Sequence, residues 1–141
     1  MTNKFKMKIK LDDGAFEPIR AHETDAGLDL RSTVDVWIHP GEYVKIDTKV
    51  RMQIPDGYVG LITSKSGLML KNITCRGTID SSYRGTIGAV LYNHGREGYL
   101  VHKGDKVCQI VIMPIEIPEI EYVDALDETD RNENGFGSTG K

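Results

Sequence analysis

Cysteine is scarce in this 141-residue chain: Cys75 and Cys108 are the only two, and they stand far apart. Two thiols do not make a disulfide scaffold, and these two lack the close spacing of a metal-binding pair. Basic charge is not in excess either. The net charge is −3, which speaks against a protein that coats nucleic acid, because such proteins present a strongly basic face. A nucleotide-sized site, which needs only a few cations, stays open. Long apolar runs are missing. Nothing approaches the roughly 20 apolar residues of a membrane span, and the opening MTNKFKMKIKLDDG has no apolar stretch suited to a signal peptide. A cytoplasmic protein without a membrane or stable nucleic-acid partner is expected. The histidines, His22, His39, His94 and His102, show no metal-ligand spacing, and there is no G-x-S-x-G elbow and no cysteine in a nucleophile motif.

What is present reads as an all-β chain of single-domain length. Met7, Ile9 and Leu11 alternate with lysines; Val34, Val36 and Ile38 alternate, as do Val50, Met52 and Ile54. Period two puts each set on one face of a strand. The runs Thr86–Tyr92 and Val107–Met113 are more continuously apolar, which fits strands buried on both faces or between subunits. Turn signals punctuate these runs at Asp13-Gly14, His39-Pro40-Gly41, Pro55-Asp56-Gly57, His94-Gly95 and Lys103-Gly104-Asp105. Many short strands with such turns predict a sandwich, jelly roll or barrel. Ser66–Asn72 alone predicts a short helix. From residue 124 the chain turns polar and acidic, so a core over residues 1–123 and a mobile arm over 124–141 are expected.

Five segments carry candidate chemistry. Asp29, in Ala26-Gly27-Leu28-Asp29-Leu30, stands between apolar residues; a buried carboxylate there needs a cationic side chain or a metal with its waters. Lys65-Ser66-Gly67 opens the predicted helix, where Ser66 is a candidate cap and the lysine favours an anion. Gly77-Thr78-Ile79-Asp80 leads into a turn holding Tyr83. Gly104-Asp105-Lys106-Val107-Cys108-Gln109 opens on a turn, and Gln109, among apolar residues, needs hydrogen-bond partners. The last segment, Gly135 to Lys141, matches both G-x-G-x-x-G and G-x-x-x-x-G-K, yet either motif must follow a strand and open a helix, and here the sequence stops. Its local chemistry still suits phosphate: glycines let backbone N–H groups approach, Ser138 and Thr139 add hydroxyls, and Arg131 adds a two-pronged donor. Phe136 can stack on a base, and a mobile arm with these parts can close as a lid.

Taken in order, the five segments resemble the five motifs of the trimeric dUTPase family, over residues 21–140. The resemblance implies a jelly-roll-like (β-clip) homotrimer with shared active sites and a C-terminal arm that closes over a neighbouring site. It implies hydrolysis of dUTP to dUMP and pyrophosphate, with Mg²⁺, limiting uracil in DNA and supplying dUMP for thymidylate synthesis. On that likeness Asp80 is the general base and Tyr83 packs under the deoxyribose, rejecting a 2′-hydroxyl. The hairpin with Thr74, Gly77, Thr78 and Ile79 holds uracil. Lys65, Ser66, Gly67 and Gln109 meet phosphates, and Asp29 faces Mg²⁺ through water. Arg131, Phe136, Gly137, Ser138 and Thr139 form the closing arm. Three residues depart from the family pattern. Lys65 stands where arginine is usual, keeping the charge and losing the fork. Asn132 and Asn134 replace glycines, and asparagine tolerates left-handed backbone. Two other readings compete. A dCTP deaminase shares the fold and the Ile-Asp pair, but its catalytic glutamate falls by register at Val90, which cannot relay protons. A nucleotide-gated binding module, in which arm ordering exposes a surface to a regulatory protein, needs no catalysis at all.

Overall fold

Alternation of apolar and polar residues, interrupted by tight turns, gives eleven short strands and one helical turn in the computed structural model, which describes residues 5–140. Residues 1–4 of the opening stretch and Lys141, the last residue of the G-x-x-x-x-G-K match, lie outside the described residues. The elements run β1 (Lys8–Leu11), β2 (Gly27–Arg31), β3 (Val36–Ile38), β4 (Tyr43–Asp47), β5 (Val50–Gln53), β6 (Tyr58–Thr63), α1 (Ser66–Met69), β7 (Ile73–Cys75), β8 (Gly77–Ile79), β9 (Gly88–Asn93), β10 (Tyr99–Val101) and β11 (Lys106–Pro114).

Four small antiparallel sheets result, ordered β2-β11-β6-β8, β4-β9-β7, β1-β5 and β10-β3. Their inner faces share one core, in which Leu30, Ile38, Ile46, Val50, Met52, Ile54, Ile62, Ile73, Leu91, Val101 and Ile110 are all buried. The alternation in β5 behaves as expected, with Val50, Met52 and Ile54 inside. That in β1 does not: the whole strand is exposed, Ile9 and Leu11 included. The continuous apolar run of β9 also resolves into alternation, with Ala89, Leu91 and Asn93 buried and Tyr92 facing out.

The predicted helix is one turn, and it ends at Met69 because Leu70–Asn72 turn back, Asn72 taking the left-handed φ of 62°. Ser66 does not cap it. The N-cap position falls to Lys65, and no side chain bonds the helix's first N–H groups. Both cysteines are free thiols in the core. After β11 the chain forms no further strand or helix among the described residues, and residues 115–140 are exposed. The tail match to a dinucleotide or phosphate loop therefore has neither the strand nor the helix those motifs require. Among the described residues no helix is long and apolar enough to cross a membrane.

Candidate functional site

Two groups of residues gather chemistry, and β6 connects them. The first is built around Asp29. Gln109 pairs with Asp29 on β2 and with Thr63 on β6, which puts these residues in one row across three strands. Asp29 is 3% exposed, and each of its carboxylate oxygens holds one ammonium: Lys65 Nζ at 2.6 Å and Lys106 Nζ at 3.1 Å. The expectation that this buried carboxylate needs a cationic partner is met twice over. Burial works to raise the Asp29 carboxyl, but the bonds from Lys65 and then Lys106 outweigh it and hold the group below the ordinary carboxylate range. Gln109 donates from Nε2 to the Ser64 carbonyl at 3.3 Å. Its other end explains Gly27: a Cβ there would stand 2.3 Å from Gln109 Oε1.

Lys106 receives no role from the sequence, because simple alternation would set it on the face opposite Gln109. A β-bulge between Lys106 and Cys108 changes the parity. Val107 and Cys108 are both buried in succession, and Lys106 and Gln109, three residues apart, end on the same side. The turn before them is fixed by Gly104 at φ +91°, by mutual backbone bonds with Ser32 and by Arg31 Nη1 on the Gly104 carbonyl at 2.8 Å. Ser66 and Gly67 stand exposed on α1 immediately after Lys65.

The second group lies around β7 and β8. These strands are separated in sequence by Arg76 alone, yet they do not pair: β7 bonds β9, and β8 bonds β6. Each is the last strand of its sheet, so the hairpin from Thr74 to Ile79 presents two free backbone edges. Ser64 bridges the two sheets there, its hydroxyl bonding both the N–H and the carbonyl of Cys75. A cavity of about 500 Å³ opens beside the hairpin, lined by Ser64, Thr74, Cys75, Arg76, Tyr92 and His94. On the other side, Arg76, Gly77 and Thr78 line a second of about 440 Å³ with Leu61–Thr63.

Directly after β8 the chain turns. Tyr83 N–H bonds the Asp80 carbonyl at 3.1 Å, and Asp80 projects exposed from the first corner. The Tyr83 ring lies across Gly85, where any Cβ would meet its hydroxyl at 2.3 Å, and the hydroxyl donates to the Thr86 carbonyl at 2.8 Å.

Within one chain the two groups touch at Ser64, but Asp80 and Gln109 are apart. Asp80 is level with Val59 on β6, since Ile79 pairs with Gly60; Gln109 is level with Thr63. Four strand residues make about 13 Å, and β8 and β11 flank β6 on opposite sides, adding about 10 Å across the sheet. Arg131, Phe136, Gly137, Ser138 and Thr139 all sit in the exposed arm. The arm is a string of turns: Arg131 Nε donates to the Asn134 carbonyl, Ser138 N–H to Gly135 and Gly140 N–H to Gly137. Asn132 adopts φ 45°, the left-handed backbone that asparagine tolerates.

Known proteins share this fold. The family model described as dUTPase matches residues 15–140. The deoxyuridine 5'-triphosphate nucleotidohydrolase of Clostridium tetani is 45% identical, over 98% of this chain and 99% of its own. The mouse enzyme of the same name is 39% identical over 94% and 83%. Among solved structures, the dUTPase of Staphylococcus bacteriophage 80alpha with dUpNHpp superposes with a TM-score of 0.91 at 32% identity, covering 98% of this chain and all of the other. A mutant dUTPase from phage phi11 of S. aureus, described with a structural Mg(II) ion, gives 0.80 at 33%, covering 86% and 98%. Identity and fold agree along nearly the whole length, and the chain belongs to the dUTPase family.

Proposed function

We propose that the chain hydrolyses dUTP to dUMP and pyrophosphate at a site assembled from separate copies of itself. The observation that carries this is the edge hairpin with Asp80 and Tyr83 directly behind it. Free backbone N–H and C=O groups can imitate a pairing partner for uracil, and cytosine, with donor and acceptor exchanged, leaves them unmatched. Tyr83, pinned over Gly85, offers a fixed ring for the deoxyribose. The Asp80 carboxylate accepts a proton from water as its oxygen attacks the α-phosphorus. The bond from that phosphorus to the bridging oxygen breaks, pyrophosphate leaves, and the proton stays on Asp80 until solvent takes it.

Lys65, Lys106, Gln109 and the Ser66-Gly67 backbone supply the phosphate side, from another copy. The separation of this group from Asp80 within one chain supports a shared site. So does the stretch after β11, where Ile117, Ile120, Tyr122, Leu126 and Phe136 are each more than half exposed, an amount of bare apolar surface that calls for a cover. A homotrimer, with Arg131 to Thr139 of one copy closing over another's site, satisfies both. Residues 1–123 are then the core and 124–141 the arm.

Mg²⁺ fits as a companion of the triphosphate rather than of a protein cage. No cluster of three or more His, Cys, Asp or Glu side chains suited to a metal occurs among the described residues, and both Asp29 oxygens carry ammoniums. Magnesium keeps several waters and takes phosphate oxygens readily. Asp29 would face it through water, and the ion would neutralise phosphate charge as the leaving group departs. Val90 is half-buried in β9; by the register of the resemblance it stands where a deaminase would need its acid–base group, and valine relays no proton. A cytoplasmic setting suits the reaction.

Removal of residues 131–141 tests the assembled site. Turnover of dUTP should fall strongly while far-UV circular dichroism and the melting temperature hold. An unchanged rate excludes the closing role of the arm.

A further inference from the structure

The turn that carries Tyr83 bonds itself together, and Arg51 bonds it to the rest of the molecule. Within the turn, Tyr83 bonds Asp80 and Thr86, while Arg84 Nη1 reaches back to the carbonyls of Ser81 and Tyr83. From outside, Ser81 Oγ donates to Asp56 at 3.1 Å, and Arg51 Nη1 donates to the Arg84 carbonyl at 3.1 Å. Arg51 itself is held from the other side. Its Nε lies 3.0 Å from each carboxylate oxygen of Asp12, and its Nη2 lies 2.8 Å from Oδ2. Asp12 in turn is fixed by its backbone, since its N–H bonds the Lys49 carbonyl just beyond the β1-β5 pairing.

One planar guanidinium therefore ties β5 to the residue just after β1 and to the turn, with one edge on a carboxylate and the remaining nitrogen on the carbonyl one residue past Tyr83. Lysine, a point charge on a flexible stem, cannot hold both directions at once. The sheet to which Arg51 belongs buries Val50 and Met52, so the brace stands on a fixed base.

We infer that Arg51, oriented by Asp12, is a positioning residue for sugar discrimination: it sets the height of the Tyr83 ring and so the rejection of a 2′-hydroxyl. The inference rests on the reading of Tyr83 as the surface under the deoxyribose. Neither Arg51 nor Asp12 meets substrate in it. A ring held firmly excludes an added oxygen, and a ring free to shift by a fraction of an ångström admits it. The signature is thus a change in the ratio of kcat/KM for dUTP to that for UTP, with dUTP turnover affected least. A purely structural contribution would lower both nucleotides together.

The test measures that ratio, by pyrophosphate release with Mg²⁺, for the wild type and for Arg51→Lys, Asp12→Asn and Tyr83→Leu, each checked by thermal melting. Arg51→Lys keeps the charge and loses the fork; its dUTP/UTP ratio should fall about tenfold, the size expected when one hydrogen bond to a charged group is lost. Asp12→Asn, which leaves the bond to Arg84 in place and loosens only its orientation, should move the ratio the same way by less, and stands in should Arg51→Lys fail to fold. A ratio unchanged in both, while Tyr83→Leu lowers it, overturns the brace and leaves the Tyr83 reading standing. A ratio unchanged in Tyr83→Leu itself overturns that reading, and the inference with it. Parallel loss on both nucleotides in Arg51→Lys and Asp12→Asn assigns the bridge to folding alone and also overturns the inference.

Discussion

Asp29 would be an isolated buried charge without Lys65 and Lys106, and each lysine comes from a different element. Replacing it with asparagine leaves two ammoniums facing each other across a neutral amide. Both lysines are partly exposed and can turn toward water, so the loss is about 1–2 kcal/mol; urea unfolding of Asp29→Asn at fixed protein concentration checks it. The pH dependence follows from the low carboxyl. The unfolded chain takes up a proton on Asp29 near pH 4, the folded one only at lower pH, so below about pH 4 the unfolded state binds more protons and stability falls. Above that range the contribution is complete. Asp12 and Asp25 are also held low, by Arg51 and His22, so the difference between wild type and Asp29→Asn isolates the effect. At Asp80 the expectation is kinetic. Asp80→Asn should cut turnover by about 10²–10⁴-fold, the usual weight of a general base, with binding of a non-hydrolysable dUTP analogue largely kept in calorimetry. The sequence revealed that Asp29 needs a cation, because a carboxylate between apolar residues can hardly be satisfied otherwise. It did not reveal Lys106, whose side depends on a bulge, nor Arg51, whose partners lie 39 and 33 residues away.

At the scale of elements, period two located the strands well and their environment less well. β5 is alternating and buried, whereas β1 alternates in the same manner and is exposed throughout, since alternation marks a face without naming what covers it. The hairpin shows the same limit. Ile73–Cys75 and Gly77–Ile79 read as one unit around Arg76, and only long-range pairing to β9 and β6 reveals that the two strands part company. That parting supplies the free edges proposed for uracil. If they are the recognition surface, Thr78→Pro, which removes one backbone N–H from β8, should raise KM for dUTP more than it lowers kcat. A kcat loss at constant KM would point away from β8.

At the scale of the whole molecule, the proposed general base Asp80 and the proposed phosphate ligand Gln109 lie on opposite flanks of β6 in one chain. The five segments were readable from residue types, and their order from the resemblance to the family; the distance between them was not, because it depends on which strands are neighbours. The proposed shared site makes a complementation test available. Asp80→Asn and Lys65→Ala, each nearly inactive alone, should regain measurable turnover when unfolded and refolded together, as mixed assemblies restore some intact sites. The most direct test of the central claim remains pyrophosphate release from dUTP, dCTP, dTTP and UTP with Mg²⁺, the product bases identified by chromatography. Release from dUTP with dUMP as product, and little from the other three, is the predicted result. A folded assembly that releases none from dUTP, or releases it equally from UTP, would contradict the account.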